Sequence, residues 1–216
     1  MISAADFKKQ ISKSLSSRMK SLGFKGSGFN YLMETDNFVF TVGLQASRYG
    51  KQCCAEFGIH PKEIERLGDH RLDFKNMKYY SCELRSRLAK HGMGDQWWYY
   101  SDDQEKNIQI GNDIFESVLI HALPVFKQFT NDPNILDKIE ITDFDNLYKN
   151  IPKKLAGMTL MTSEVRFAWA LTKIFEKKNP TKARQFAKYG LSKLEATNLF
   201  FGRKDFEKVL TQNNDA

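Results

Sequence analysis

Two arginines and two tryptophans in the middle of this 216-residue sequence combine the side chains that recognise anions and flat apolar surface: Arg85, Arg87, Trp97 and Trp98. Residues two apart on a strand share a side, so Arg85 and Arg87 lie opposite Leu84 and Leu88. A guanidinium grips a carboxylate or phosphate through parallel N–H donors, and an indole adds rigid apolar area. If the tryptophan strand pairs nearby, two guanidinium forks and an indole line one patch. It would suit a carboxylate, a phosphate or an acidic partner. The competing arrangement is structural: one Trp in the core, and both arginines paired with Glu83, Glu56 or aspartates across the sheet.

The other reactive side chains point to packing and capping. Cys53, Cys54 and Cys82 lack the C-x-x-C spacing of a structural zinc site. Cys53 and Cys82 fall on apolar strand faces and read as small hydrophobes. Cys54 points the other way, a candidate thiol with no basic neighbour in sequence to lower its pKa. His60, His70, His91 and His121 share no ligand-like spacing, and His121 lies in an apolar helical stretch as a satisfied, partly buried histidine. Asp102, Asp103 and Glu105 could gather a divalent cation. Their place just before a long helical stretch has a simpler explanation, as caps and dipole partners. The phosphate-loop, dinucleotide, zinc-protease and nucleophile-elbow motifs are absent. The residues therefore imply no catalytic group, no metal and no cofactor.

The elements that position these residues follow from periodicity. Phe7, Ile11, Leu15 and Met19 recur every four residues, which predicts a helix over 5–22, capped by Ser3 or Asp6 and ended at Gly23. The period then falls to two. Phe29, Tyr31 and Met33, then Phe38, Phe40, Val42 and Leu44, then Cys53, Ala55, Phe57 and Ile59 predict an antiparallel meander with one dry face. Pro61 reads as the first residue of a short helix. Tyr80, Cys82, Leu84 and Leu88 fit one face of a further strand, although 80, 84 and 88 would also stack on a helix; the Tyr-Tyr pair favours the strand, and WWYY at 97–100 reads as a short aromatic one. A helical stripe from Gln104 to Phe129 contains Pro124, which should kink or interrupt it. A short strand is expected within Lys138–Ile141, and three helices close the chain.

Composition limits the class. Seventeen Phe among 216 residues are too many for general disorder, and no run of about 18 apolar residues would span a bilayer. Lysines occupy the start where a secretory leader needs apolar residues, and three cysteines make no disulfide framework, so a reducing cytoplasm is expected. The formal charge is +7, divided as +4 over 1–50, −4 over 51–150 and +7 over 151–216. Basic ends attract polyanions, but Lys-rich solvated helices are the favoured explanation.

The ordered set Leu22, Gly23, Phe24, Lys25, Phe29, Gln45, Ser47, Gly58, Arg85, Arg87, Leu88, Trp97 and Trp98 resembles the domain-of-unknown-function 4304 family of mainly bacterial proteins, over about residues 5–130. The resemblance implies a compact α+β domain and carries over no activity. The expected architecture is α+β: an antiparallel meander covered by helices (1–134), with a C-terminal helical subdomain (135–216) packed on it. A good core without a catalytic motif favours a protein-interaction or regulatory module with another protein as partner, for instance an immunity or antitoxin-like protein. A nucleic-acid binder using the basic ends and an enzyme with an unfamiliar site are the alternatives. No membrane partner is expected, and the sequence is silent on oligomeric state.

Overall fold

The computed structural model describes residues 2–67, 74–92, 94–197 and 202–211. Helix α1 (Ala4–Ser21) begins where the Ser3 hydroxyl accepts the Asp6 N–H at 3.1 Å. It ends in a Schellman turn: Gly23 N–H donates to Lys20 C=O, and Phe24 N–H reaches back to Met19 C=O. Gly23 takes φ +90°, which a side chain would strain, and buried Phe24 closes the turn against the core.

Strands β1 (Lys25–Ser27), β2 (Asn30–Glu34), β3 (Phe38–Ala46), β4 (Gln52–Pro61), β5 (Leu84–Leu88) and β6 (Trp98–Tyr99) form one antiparallel sheet in the order β1-β2-β3-β4-β5. Strand β6 pairs with Gln52 and Cys53 of β4, and β5 pairs with residues 55–59. The register sets Phe40 opposite Ile59, Val42 opposite Phe57 and Leu44 opposite Ala55, so the apolar sets of neighbouring strands share one face. Helix α2 (Gln104–Ser117) packs on α1, and α3 (Leu123–Asn131) lays Phe126 against Phe24, Phe40 and Phe57 at 4.7–6.1 Å between ring centres. Helices α4 (Leu147–Lys154), α5 (Glu164–Lys178), α6 (Pro180–Thr197) and α7 (Arg203–Thr211) complete the chain, and one apolar cluster runs from Phe7 to Val209.

Several local expectations are corrected. Pro61 ends β4 opposite Phe38 instead of starting a helix, because as the last residue its missing N–H is tolerated by the ladder. Residues 138–141 form no strand; 3₁₀ turns at Ile135–Lys138 and Ile141–Asn146 flank them. The stretch before β5 is a 3₁₀ turn at Tyr79–Ser81, so the two-residue alternation starts only at Leu84. Between α2 and α3 the chain widens into a π turn at Val118–Ala122. Pro124 explains this break: it has no N–H to donate, and its ring crowds the carbonyl four residues back.

The expected single dry face is also incomplete. Residues 74–82 fold across the other side of the sheet, where Phe74, Met77 and Cys82 bury Val39 and Leu32 in a second apolar cluster. Two glycines admit this cover. A Cβ on Gly43 would stand 2.0 Å from the Tyr79 ring, and one on Gly58 would stand 2.7 Å from Cys82. The cover stops there. Beyond it the second face has a polar, open end, where Gln45 is exposed and Arg87 partly so, above buried Cys54 and Glu56.

Candidate functional site

Strand alternation decides which chemical groups reach the second face. On β4 these are Gln52, Cys54, Glu56, Gly58 and His60; on β5 they are Arg85 and Arg87, paired with Gly58 and Glu56. Glu83, one step before β5, continues the row beside His60, and its carboxylate lies 3.8 Å from His60 Nδ1.

At the open end Glu56 is almost fully buried. Arg87 Nε donates to its Oε1 at 3.3 Å, while Arg85 Nη1 stands 4.0 Å from Oε2. Arg87 is otherwise fully engaged: Nη1 pairs with Asp95, Nη2 donates to Gln45 Oε1 at 3.5 Å, and the guanidinium lies 5.8 Å from the Trp97 ring centre. Arg85 differs. Among the described residues its guanidinium makes no hydrogen bond, and its buried Nε is unpartnered. Its backbone is held firmly, with the N–H donated to Thr162 Oγ1 at 3.0 Å and the C=O accepting from Met161 N–H at 2.8 Å.

The structure thus brings Arg85, Arg87 and Trp97 to one region and leaves Trp98 out. Trp98 sits opposite Cys53 on the core face and is 5% exposed. The WWYY alternation carries this division, since 97 and 99 face one way and 98 and 100 the other. Tyr99 joins the open end at 70% exposure, Tyr49 projects from the adjoining β3–β4 turn, and Tyr80 stands exposed beside buried Tyr79. Asp95, Tyr79 and Tyr99 were not singled out from sequence. Gly43 on a strand was the available signal for Tyr79, because it marks the ring's close approach.

The thiols and the Tyr79 hydroxyl here are held in their neutral forms. Burial pushes the Cys54 thiol up to about 11, with Arg87 only partly opposing it, and burial lifts Cys53 and Cys82 to about 12. Cys54 is fully buried and is no activated nucleophile. Cys82 lies on the second face against Thr41, not beside Leu84. Burial first, then the nearby Glu56 charge, raises the Tyr79 hydroxyl to about 12.

The closed end holds a different cluster. Glu83, with no exposed side-chain surface, accepts Arg166 Nε at 2.7 Å, Arg166 Nη2 at 3.3 Å and the Leu67 N–H at 3.2 Å. Arg166 also donates to the carbonyls of Tyr80 and Ser81. Burial pushes His60 down to about 4, and the Arg166 and Arg66 cations act in the same direction. Its ring is therefore neutral, with Nε2 donating to Ile64 C=O at 3.1 Å, and its nearness to Glu83 is no ion pair at neutral pH.

The remaining residues singled out for chemistry have structural places. Asp103 Oδ1 accepts the Glu105 N–H at 2.9 Å and caps α2. His121 lies in the π turn, half-buried. His70 lies outside the described residues. Among the described residues, no group of three or more His, Cys, Asp or Glu is arranged to hold a metal ion.

The protein is of the α+β class, a six-stranded antiparallel sheet whose second face ends in an arginine- and aromatic-lined opening. The chain belongs to the family described as Domain of unknown function (DUF4304), whose model matches residues 15–128. That span contains Arg85, Arg87, Asp95 and Trp97, whereas Met161 and Thr162, which hydrogen-bond the Arg85 backbone, lie beyond. Comparison with curated proteins gave no match, and neither did comparison with solved structures.

Proposed function

We propose that this chain is a non-catalytic protein-interaction or regulatory module that docks another protein on the open end of the second sheet face. The observation that carries the reading is the exposed pair Tyr49 and Tyr99, on the turn and strand that adjoin Trp97 and the two arginines. Tyr, Trp and Arg are the residues that dominate binding energy at protein interfaces. The thiols beside them are held protonated, which speaks against nucleophilic chemistry at neutral pH. A small immunity or antitoxin-like protein that occludes its partner is one concrete form.

The nucleic-acid alternative loses support from the ion pairs. Lys154, Lys173, Lys178, Lys182, Lys193 and Lys208 each meet a carboxylate within 4 Å, so much of the basic C-terminal charge is neutralised internally. No helix among the described residues is long and apolar enough to cross a membrane.

Affinity capture from the source cell tests the reading, with the intact chain as bait beside a Trp97→Ala/Tyr99→Ala variant and an Ile120→Ala control. A partner is expected with the unmodified chain and the control, and at least tenfold less of it with the double variant. Equal recovery by all three baits overturns the proposed surface. Retention on DNA that collapses between 50 and 200 mM salt, in place of a captured protein, would favour the polyanion alternative, since phosphate contacts lose roughly 10³–10⁵ in affinity over that range.

A further inference from the structure

Arg85 and Arg87 stand two residues apart on one strand and beside one glutamate, yet only Arg85 has a guanidinium that makes no hydrogen bond among the described residues. All three nitrogens of Arg87 have an acceptor: Glu56, Asp95 and Gln45. Arg85 has none within hydrogen-bonding distance among the described residues, and Nε is its only guanidinium nitrogen that is both buried and unpartnered. Its Nη atoms therefore reach solvent, as the 25% exposure of the side chain requires. An arginine whose backbone is fixed at both N–H and C=O and whose terminal donors face outward is preorganised to accept an anion.

The charge around it selects which anion. Arg85 and Arg87 contribute two positive charges, and Glu56 and Asp95 two negative ones. Any anion bound here faces the same Glu56 and Asp95, and the four charges balance, so a singly charged carboxylate is repelled less than a phosphate dianion. Met161, 40% exposed, lies beside Arg85 through its N–H bond to the Arg85 carbonyl and offers apolar contact to the stem of such a side chain.

We infer that Arg85 is the anchor of the docking surface and receives, through Nη1 and Nη2, the carboxylate of an Asp or Glu side chain of the partner protein. Arg87 is a positioning residue: it holds Glu56, Asp95 and Trp97 and leaves Arg85 free. The inference rests on the proposed docking function and adds the chemistry of the group that is recognised.

Nitrogen-15 spectra of the arginine Nε–Hε groups test it on the intact chain, titrated with sodium acetate, sodium chloride and inorganic phosphate at matched ionic strength. Acetate is expected to shift the Arg85 signal at least threefold more than chloride or phosphate does, with Arg87 nearly still. Arg85→Lys should abolish the accompanying shifts of the Met161 and Thr162 amides. Equal shifts with acetate and chloride overturn the anchor, and a larger response to phosphate overturns the carboxylate. Capture separates this failure from failure of the docking surface. If Trp97→Ala/Tyr99→Ala loses the partner but Arg85→Met retains it, the surface stands and the anchor falls.

Discussion

Two buried glutamates lie in one row on the second face of the sheet, and their arginines treat them differently. Glu83 is bound by both sides of the Arg166 fork at 2.7 and 3.3 Å, and Arg166 uses its remaining donors on two carbonyls. Glu56 has one arginine at 3.3 Å and a second at 4.0 Å that hydrogen-bonds to nothing. The first pair is closed on itself and ties α5 to the residue that leads into β5. The second leaves a donor facing out. A buried charge pair by itself says little about role, because desolvation offsets most of its attraction. Whether every donor is satisfied distinguishes a latch from a receptor.

The latch supplies the largest expected effect. Arg166→Ala strips a fully buried carboxylate of its cation, and breaking such a pair costs roughly 3–5 kcal/mol. Urea unfolding at neutral pH should show that loss, with Arg166→Lys intermediate because an ammonium cannot reproduce the fork. A loss below about 1 kcal/mol would remove the distinction between the two glutamates.

His60 sharpens the same end by its pH dependence. It is buried and neutral, with its pKa lowered to about 4 from the ordinary 6.5. The unfolded chain binds a proton here that the folded chain refuses. Its contribution is therefore fully present above pH 6.5 and is lost as pH falls towards 4. Linkage sets the loss at about 2 kcal/mol between pH 8 and 5. His60→Gln keeps a donor for the Ile64 carbonyl and should flatten stability across that window. An unchanged slope in the variant would place the proton uptake elsewhere.

The helices and the core face of the sheet were legible because both depend on period alone: Phe38, Phe40, Val42 and Leu44 can share a side only on a strand. The resemblance was legible too, since Arg85, Arg87, Trp97 and Trp98 lie within the matched span. The cover on the second face was hidden, because residues 74–82 have no sustained period and are held by Gly43 and Gly58, whose effect is spatial. For the same reason Pro61 read as a helix start: its ring suits that position and the end of a strand alike. Trp97 and Trp98 differ only in strand phase, which a two-residue strand defines once its partner is known. The unequal arginines lay beyond reach. Their difference depends on Asp95 and Gln45 folding back to Arg87, at separations of eight and 42 residues.

The smallest expected effect is the most telling, because it divides the two arginines. Arg87→Ala leaves Glu56 buried with its nearest cation 4.0 Å away, so stability should fall by about 1–3 kcal/mol, the cost of an unsatisfied buried polar group. Arg85→Met removes a buried, unpartnered N–H and replaces the stem with an apolar chain of similar length. That relieves an orphan donor while Glu56 keeps Arg87, and the change in stability should stay within about 0.5 kcal/mol. The double substitution Arg85→Met/Arg87→Ala deprives Glu56 of both cations and should exceed the sum of the single losses, because in each single variant the surviving arginine still compensates the charge. Chemical unfolding of the four proteins closes the double-mutant cycle. Equal losses for the two single variants would make Arg85 a structural residue like Arg166. A neutral Arg85 and a costly Arg87 would leave the outward guanidinium with recognition as its remaining role.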